Sequence, residues 1–297
     1  SSLLSFRYSI NLVKCFISLY IKNLLNKNHL FYIILKIKFM SKLKLKIKPE
    51  NFSLFVSKIE NIAAIDDTVR VKIDSENILM YSMLGGGNVM LAFKNFLLKT
   101  SDFFDIDDFD YTIDMIIPNA KKFVKNLAFI REMDKIGFDL TYKEDEDDEL
   151  LYAVRTFQLS SGKFKVNWLG GELYSVRDIG KAALAQRLNP KDKKWSFNIG
   201  NQDFLDVKKL SSINGERIIC MDVTKGKVIF SEKSSWELEV DEIEDRNAAL
   251  ILNKRFLSCI NDKLENIEFC IFENFMLIKD ENSNLMLSFE QNFEDQD

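Results

Sequence analysis

Two acidic stretches are the densest concentrations of side chains able to do chemistry. Glu144-Asp145-Glu146-Asp147-Asp148-Glu149 is an unbroken run of carboxylates, and Asp105, Asp107, Asp108 and Asp110 form a second group. Carboxylates at this density attract divalent cations, so each stretch has to be weighed as a calcium loop or as a magnesium site for nuclease chemistry. Neither has the glycine and ligand spacing of a calcium loop, and no His or Lys constellation accompanies them. The first lies between two runs of alternating apolar residues and reads as a solvated hairpin tip; the second reads as a loop joining two halves of a domain. The only histidine, His29, falls in an N-terminal stretch unlike the remainder, which leaves no imidazole downstream for acid–base work or metal binding. Cys15, Cys220, Cys259 and Cys270 are far apart and form no Cys-x-x-Cys pair, so they signal neither zinc nor a disulfide framework and suit a reducing cytoplasm. The last three fall on or beside apolar elements and read as small core residues. Gly85-Gly86-Gly87 sits between strand patterns and not ahead of a helix, so it does not cradle phosphate. No catalytic residue, metal or cofactor is expected.

Basic side chains are the other candidates. Lys121, Lys122, Lys125 and Arg131, then Lys208 and Lys209, then Lys254 and Arg255 lie off the apolar stripes of three helix patterns, with Lys58 alone on a fourth. One such group is ordinarily just a solvated helix face. Recurrence on successive helices is more telling, because the chain around them is acidic. Residues 1–39 carry six basic and no acidic side chains, leaving 35 basic against 45 acidic residues from Met40 onward, a charge near −10. Contact with a polyanion therefore requires a local basic surface. Within 1–39 the longest uncharged apolar stretch, Cys15 to Ile21, is cut by Lys22, far short of the roughly 20 residues needed to span a bilayer. The expectation is that Met40 is the true start and that 1–39 is translated upstream sequence, non-native or disordered. An amphipathic membrane-surface segment is the alternative.

The elements that must position these lysines recur as an internal repeat. Each copy has an alternating strand, a helix starter, a short amphipathic helix built around a Phe, and further alternating strands. In the first, Lys42 to Ile47 leads through Pro49 to a stripe of Phe52, Phe55, Val56 and Ile59, then to strands at Val69 to Ile73, Ile78 to Leu84 and Val89 to Phe93. In the second, Tyr111 to Ile117 leads through Pro118-Asn119 to Phe123, Val124, Leu127 and Ile130, with strands at Gly137 to Tyr142, Leu150 to Phe157 and Lys163 to Trp168. The third has Trp195 to Ile199, Asn201 as N-cap, the stripe Phe204, Val207 and Leu210, and strands from Arg217, Lys227 and Trp236. The fourth has Ala248 to Leu252, a helix with Phe256, Leu257 and Ile260, and strands from Glu268, Phe275 and Leu285. A sheet with one apolar face needs a cover, which an amphipathic helix supplies. The fold class is therefore α+β, with two similar domains, each a duplicated βαβββ unit whose two helices lie on one face of a continuous sheet. The expected division is 40–169 and 195–291 for the domains, 170–194 for a connector with a short helix near Asp178 to Leu188, and 292–297 for a tail.

This order of elements resembles the DNA polymerase sliding clamps of the eukaryotic, archaeal and phage type, the proliferating cell nuclear antigen family. The resemblance runs from Met40 to about Gln291. Its most specific pieces are the hairpin Ser82-Met83 to Asn88-Val89-Met90-Leu91 and the helix from Asp203-Phe204 to Leu210-Ser211-Ser212-Ile213. It implies a DNA clamp fold with helices on the inner face and sheets outside, and a homotrimeric ring of six domains that does no chemistry. Implied partners are sequence-independent double-stranded DNA, a DNA polymerase, a clamp loader ATPase and further copies of the chain, with no membrane. The DNA-facing residues would be Lys58, Lys121, Lys122, Lys125, Arg131, Lys208, Lys209, Lys254 and Arg255, touching phosphates without reading bases. A pocket for a partner's peptide would take Met83 and Val89 from the hairpin, Phe275 and Phe289 near the C-terminus, and Leu173, Tyr174, Val176 and Ile179 from the connector. Each of these could equally be core. The expected location is cytoplasmic, in a host cell if the source is a phage, as the AT-rich coding style points to. The alternative is a clamp-like structural or scaffold protein of a virus that never encircles DNA.

Overall fold

Strands of 5 to 11 residues with apolar side chains at alternate positions build most of the molecule. The computed structural model describes residues 41–86, 89–105, 110–130, 136–144, 151–213, 218–224, 226–231, 235–240, 248–253, 257, 259–260, 265–280 and 283–289. The first unit is β1 (Ser41–Ile47), α1 (Pro49–Ile62), β2 (Thr68–Ile73), β3 (Asn77–Gly86) and β4 (Val89–Lys99). A second follows as β5 (Thr112–Pro118), α2 (Ala120–Leu127), β6 (Ile136–Glu144), β7 (Leu151–Ser161) and β8 (Phe164–Leu169). The connector holds a 3-10 turn at Leu173–Ser175 and the helix α3 (Lys181–Leu188). Beyond it come β9 (Trp195–Gly200), α4 (Asn201–Ile213), β10 (Ile218–Thr224), β11 (Lys227–Ser231) and β12 (Ser235–Glu239), then β13 (Ala248–Asn253), β14 (Asn266–Ile271), β15 (Phe275–Asp280) and β16 (Ser283–Ser288). The expected fourth helix falls mostly outside the described residues, Phe256 included; Leu257 and Ile260 of its stripe are buried, as is Cys259 beside them.

Helix boundaries follow local chemistry. Pro49 stands in the first turn of α1, where its missing N–H costs nothing. At α2 the chain turns through Asn119, in the left-handed region with φ 51°. The orphan N–H groups there are met from far upstream, as Ala120 N donates to the Asp67 carbonyl and Lys121 N to Asp67 Oδ1 at 2.7 Å. Asn201, expected as an N-cap, is instead the first helical residue of α4.

The pairing departs from a simple sheet for each unit. The lead strand of each unit joins the other unit's strands: β1 pairs β6 and β5 pairs β2, just as β9 pairs β14 and β13 pairs β10. The same exchange in both halves supports the fourfold repeat independently of side chains. The two four-strand sets of the first half touch through a short parallel contact of β5 with β7, and β4 pairs β16 antiparallel. A 12-stranded sheet thereby runs from one half into the other, with β10 to β13 forming a separate 4-stranded sheet among the described residues.

Strand parity separates two faces. Val69, Val71, Ile73, Ile113, Met115 and Ile117 point inward and pack under α1 and α2 in the first core. A second core gathers around Phe197, Phe204, Val207, Phe230 and Phe269, capped by α4. Residues of opposite parity, Tyr81, Phe93, Ile116, Leu277 and Met286, form a third cluster on the outer face with Val176 and Ile179 of the connector.

Candidate functional site

The inner face presents the helices. On α2, Phe123, Val124 and Leu127 are buried while Lys121, Lys122 and Lys125 are exposed. On α4, Phe204 and Val207 are buried and Lys209 is exposed; Lys208 is half-buried, its Nζ 5.7 Å from the Phe204 ring centroid. The helical spacing thus leaves Lys121, Lys122, Lys125 and Lys209 exposed on the side opposite the core. Lys58 is different: it is half-buried on α1, with Nζ 4.3 Å from the centroid of the Phe96 ring. That ring is also within 5.3 Å of Lys94, a β4 lysine only 1% exposed, which donates to the Cys259 carbonyl. Lys58 therefore packs as part of the inner core surface more than it projects from it. Arg131, Lys254 and Arg255 lie outside the described residues.

The outer face presents the connector. Val176 and Ile179 are buried against the third cluster, and Leu173, Met83 and Phe275 pack half-buried at its margin with Leu79 and Leu184. Phe275 stacks on Phe272, with centroids 4.6 Å apart and planes 10° from parallel. Five of the expected pocket residues thus come together. Of the other three, two do not join them, and the third is not described. Tyr174 is 86% exposed, the Val89 side chain is outside the described residues, and Phe289 packs against the second core on the inner side. Parity explains the Phe289 correction, because it continues the inward series of Leu285 and Leu287, whereas Phe275 continues the outward series of Leu277.

Charged groups missed in the sequence hold this face. Arg70, 3% exposed, donates from Nε and Nη2 to the Asp114 carboxylate at 2.9 and 2.6 Å, and Asp114 is wholly buried. Lys72 donates to Asp178 at 2.5 Å and the Tyr81 hydroxyl donates to the Arg177 carbonyl at 3.2 Å. Burial opposes charge on Asp178, but the Lys72 hydrogen bond and the nearby cations outweigh it and hold this carboxyl below its ordinary range. Burial pushes the Tyr81 hydroxyl far up, so it stays a donor. Burial, with Glu268 beside it, also pushes the Cys270 thiol up to about 11, which makes it a poor nucleophile. The available signal was Asp114 inside an otherwise apolar strand, opposite parity to its neighbours.

Two sheet edges complete the site. Beside β8, Phe129 and Phe164 stack at 5.5 Å and are 66% and 37% exposed, with Leu169 72% exposed. Along β12, Trp236 is exposed, and Leu205 is exposed on α4, which packs against that strand. Among the described residues no group of three or more His, Cys, Asp or Glu side chains could hold a metal ion. The acidic run lies between the paired strands β6 and β7, with 145–149 outside the described residues. No described helix is long and apolar enough to cross a membrane.

Solved structures similar to this chain include DNA polymerase III beta subunits and proliferating cell nuclear antigens. The proliferating cellular nuclear antigen of Entamoeba histolytica superposes with a TM-score of 0.56 at 15% identity, over 84% of this chain and 98% of that one. This chain has the sliding-clamp fold. The beta subunit of DNA polymerase III from Thermotoga maritima gives a TM-score of 0.57 at 11% identity over 86% of this chain. The Helicobacter pylori beta clamp bound to a DNA ligase peptide gives 0.57 at 15% over 85%. The chain spans 66% of the length of each beta subunit. No family model and no curated protein matches the sequence.

Proposed function

We propose that this protein is a sliding clamp: copies join head to tail in a closed ring around duplex DNA, and a polymerase is tethered to the outer face. The observation that carries the reading is the place that two of the edge strands, β8 and β12, hold in the repeat. Within the chain, the last strand of the first unit, β4, pairs the last strand of the fourth, β16. Their repeat equivalents are β12, last of the third unit, and β8, last of the second, and both stand at sheet edges. Pairing β8 of one copy with β12 of the next repeats the internal junction, and exposed aromatic residues flank both strands. Ring closure by three copies would give six repeat pairs, as the clamp resemblance implies. The inner lysines then face phosphates, and the connector face takes a short peptide with apolar and aromatic anchors, as the Helicobacter pylori clamp is bound to a DNA ligase peptide. No catalysis by this chain is part of the reading, and a clamp loader ATPase would open the ring.

Sedimentation of the full chain tests assembly. The expected species is close to three times 34.6 kDa, and Phe164→Asp with Trp236→Asp should give a folded monomer. Loading on circular primed DNA tests encirclement. A chain that stays monomeric at micromolar concentration, or a ring that never slows loss of polymerase from the template, would leave the clamp fold serving as a scaffold.

A further inference from the structure

The Arg70–Asp114 pair poses a question that stability alone does not answer. Two charges taken fully out of water gain little over apolar residues of the same volume, because desolvation offsets their attraction. The geometry shows what else the guanidinium does. With Nε and Nη2 committed to Asp114, its remaining arm, Nη1, donates to the Val176 carbonyl at 2.7 Å and the Leu173 carbonyl at 3.3 Å. Both carbonyls belong to the connector, more than a hundred residues away in sequence. Lys72, two residues along β2 and so on the same face, reaches Asp178, and the two pairs cross-link, with Arg70 to Asp178 at 3.8 Å and Lys72 to Asp114 at 3.7 Å. Tyr81, directly across from Arg70 on β3, holds the Arg177 carbonyl. One patch of sheet therefore grips connector residues 173, 176, 177 and 178 while Val176 and Ile179 fill the apolar cluster between them.

We propose that Arg70, aligned by Asp114, is a positioning residue that holds the connector in a single path across the outer face and so keeps the peptide-docking surface preformed. The proposal rests on the reading of this face as the partner site. A bidentate carboxylate fixes the plane of the guanidinium, and a fixed plane aims its last arm at backbone oxygens, which a lysine at the same place cannot do. Backbone carbonyls are read whatever the side chain, so the grip sets the connector's path without depending on its sequence. With the path fixed, Leu79, Met83, Leu184 and Phe275 keep a constant spacing at the margin where a peptide's apolar anchors would dock. A released connector would hold that path only part of the time, and apparent affinity falls by that fraction.

The test compares wild type with Arg70→Met/Asp114→Leu, which removes both charges together, and with Arg70→Lys, which keeps a cation on Asp114 but has no planar fork. Hydrogen exchange of amides 173–179, the melting temperature of the ring, and binding of a fluorescein-labelled synthetic peptide with apolar and aromatic anchors are read on each full chain. The double variant should keep its melting temperature, exchange its connector amides about tenfold faster and bind the peptide about tenfold more weakly, with the loss in association rate. Arg70→Lys should fall between, and it decides the matter alone if the double variant does not fold. Unchanged connector exchange in a folded variant overturns the positioning role. Faster exchange with unchanged peptide affinity overturns the claim that positioning serves docking. A wild type that binds no such peptide sinks the partner-site reading, and the exchange comparison still separates that failure from failure of the grip.

Discussion

The two faces of β2 and β5 are both buried, yet by different means. Inward, Val69, Val71, Met115 and Ile117 meet helices through apolar packing alone; outward, Arg70, aligned by Asp114, and Lys72 meet a connector through charge-assisted hydrogen bonds. Apolar packing is non-directional and proportional to area, so it holds α1 and α2 firmly while specifying their path only through shape. Hydrogen bonds from a buried fork are directional and poorly compensated, so they add little net stability but specify one backbone path. The contrast matches the elements covered: amphipathic helices have area to bury, whereas the connector before α3 offers only Val176 and Ile179 as fully buried anchors. Those two contribute about 1.5–3 kcal/mol each.

Breaking the outer pair on one side should have the largest effect on stability. Asp114→Ala strands the Arg70 guanidinium in a site without its carboxylate, at a cost of about 3–5 kcal/mol. Urea unfolding measures it, and a loss below about 1 kcal/mol would mean that the arginine finds another partner. Next is the inner face: Ile59→Ala, at a position with no exposure, should cost about 2–5 kcal/mol through transfer and cavity terms. Its signature differs from that of Asp114→Ala, since connector amides should keep their native exchange relative to global unfolding. Equal loosening of the connector by both variants would erase the distinction between the faces.

Much of the inner architecture was legible because it depends on periodicity, which is local. The stripes at Phe52, Phe55, Val56 and Ile59 and at Phe123, Val124 and Leu127 are buried as the spacing required. The exchange of lead strands was not legible, because which strands pair is a nonlocal choice that alternation leaves open. The outer face misled for a related reason. Arg70, Lys72 and Asp114 occupy the parity that normally faces water, and the connector's return over that surface leaves Arg70 and Asp114 buried and Lys72 half-buried. Phe289 was open to correction from the sequence, since counting by twos from Leu287 sends it inward.

A smaller effect isolates Asp178, at the exposed end of the outer network. Its carboxyl titrates below the ordinary 3.8 in the folded protein, so its ionised form favours the fold at pH above that value, and the contribution is lost as pH falls through the lower folded value. The side chain is 53% exposed, which limits the contribution to about 1 kcal/mol or less after solvent screening. The stability difference between wild type and Asp178→Asn should be constant above about pH 5 and vanish at strong acid. A difference that persists there would assign the loss to packing and not to charge.

The smallest expected effect on stability belongs to the inner lysines, and there the comparison of faces becomes a test of function. Lys122, Lys125 and Lys209 are exposed, so reversing each to Glu should change stability by no more than about 0.5 kcal/mol. Lys208, over the Phe204 ring, should cost somewhat more. Lys58 sits over Phe96, so Lys58→Ala should lower stability and leave DNA loading nearly unchanged. If the helices line the DNA path, each lysine touches phosphate weakly and no single alanine matters much. Reversing Lys122, Lys125, Lys208 and Lys209 to Glu together, a fourfold variant, should then leave the ring intact and still sharply reduce loading and product length, because it replaces attraction by repulsion along the path. The wild-type interaction should weaken as salt rises. Charge reversal on the outer face should not have this effect if, as proposed, the connector rim meets peptide and not phosphate. Full-length products from the fourfold variant at ordinary salt would take these helices off the DNA path, and with them the functional meaning of the inner face.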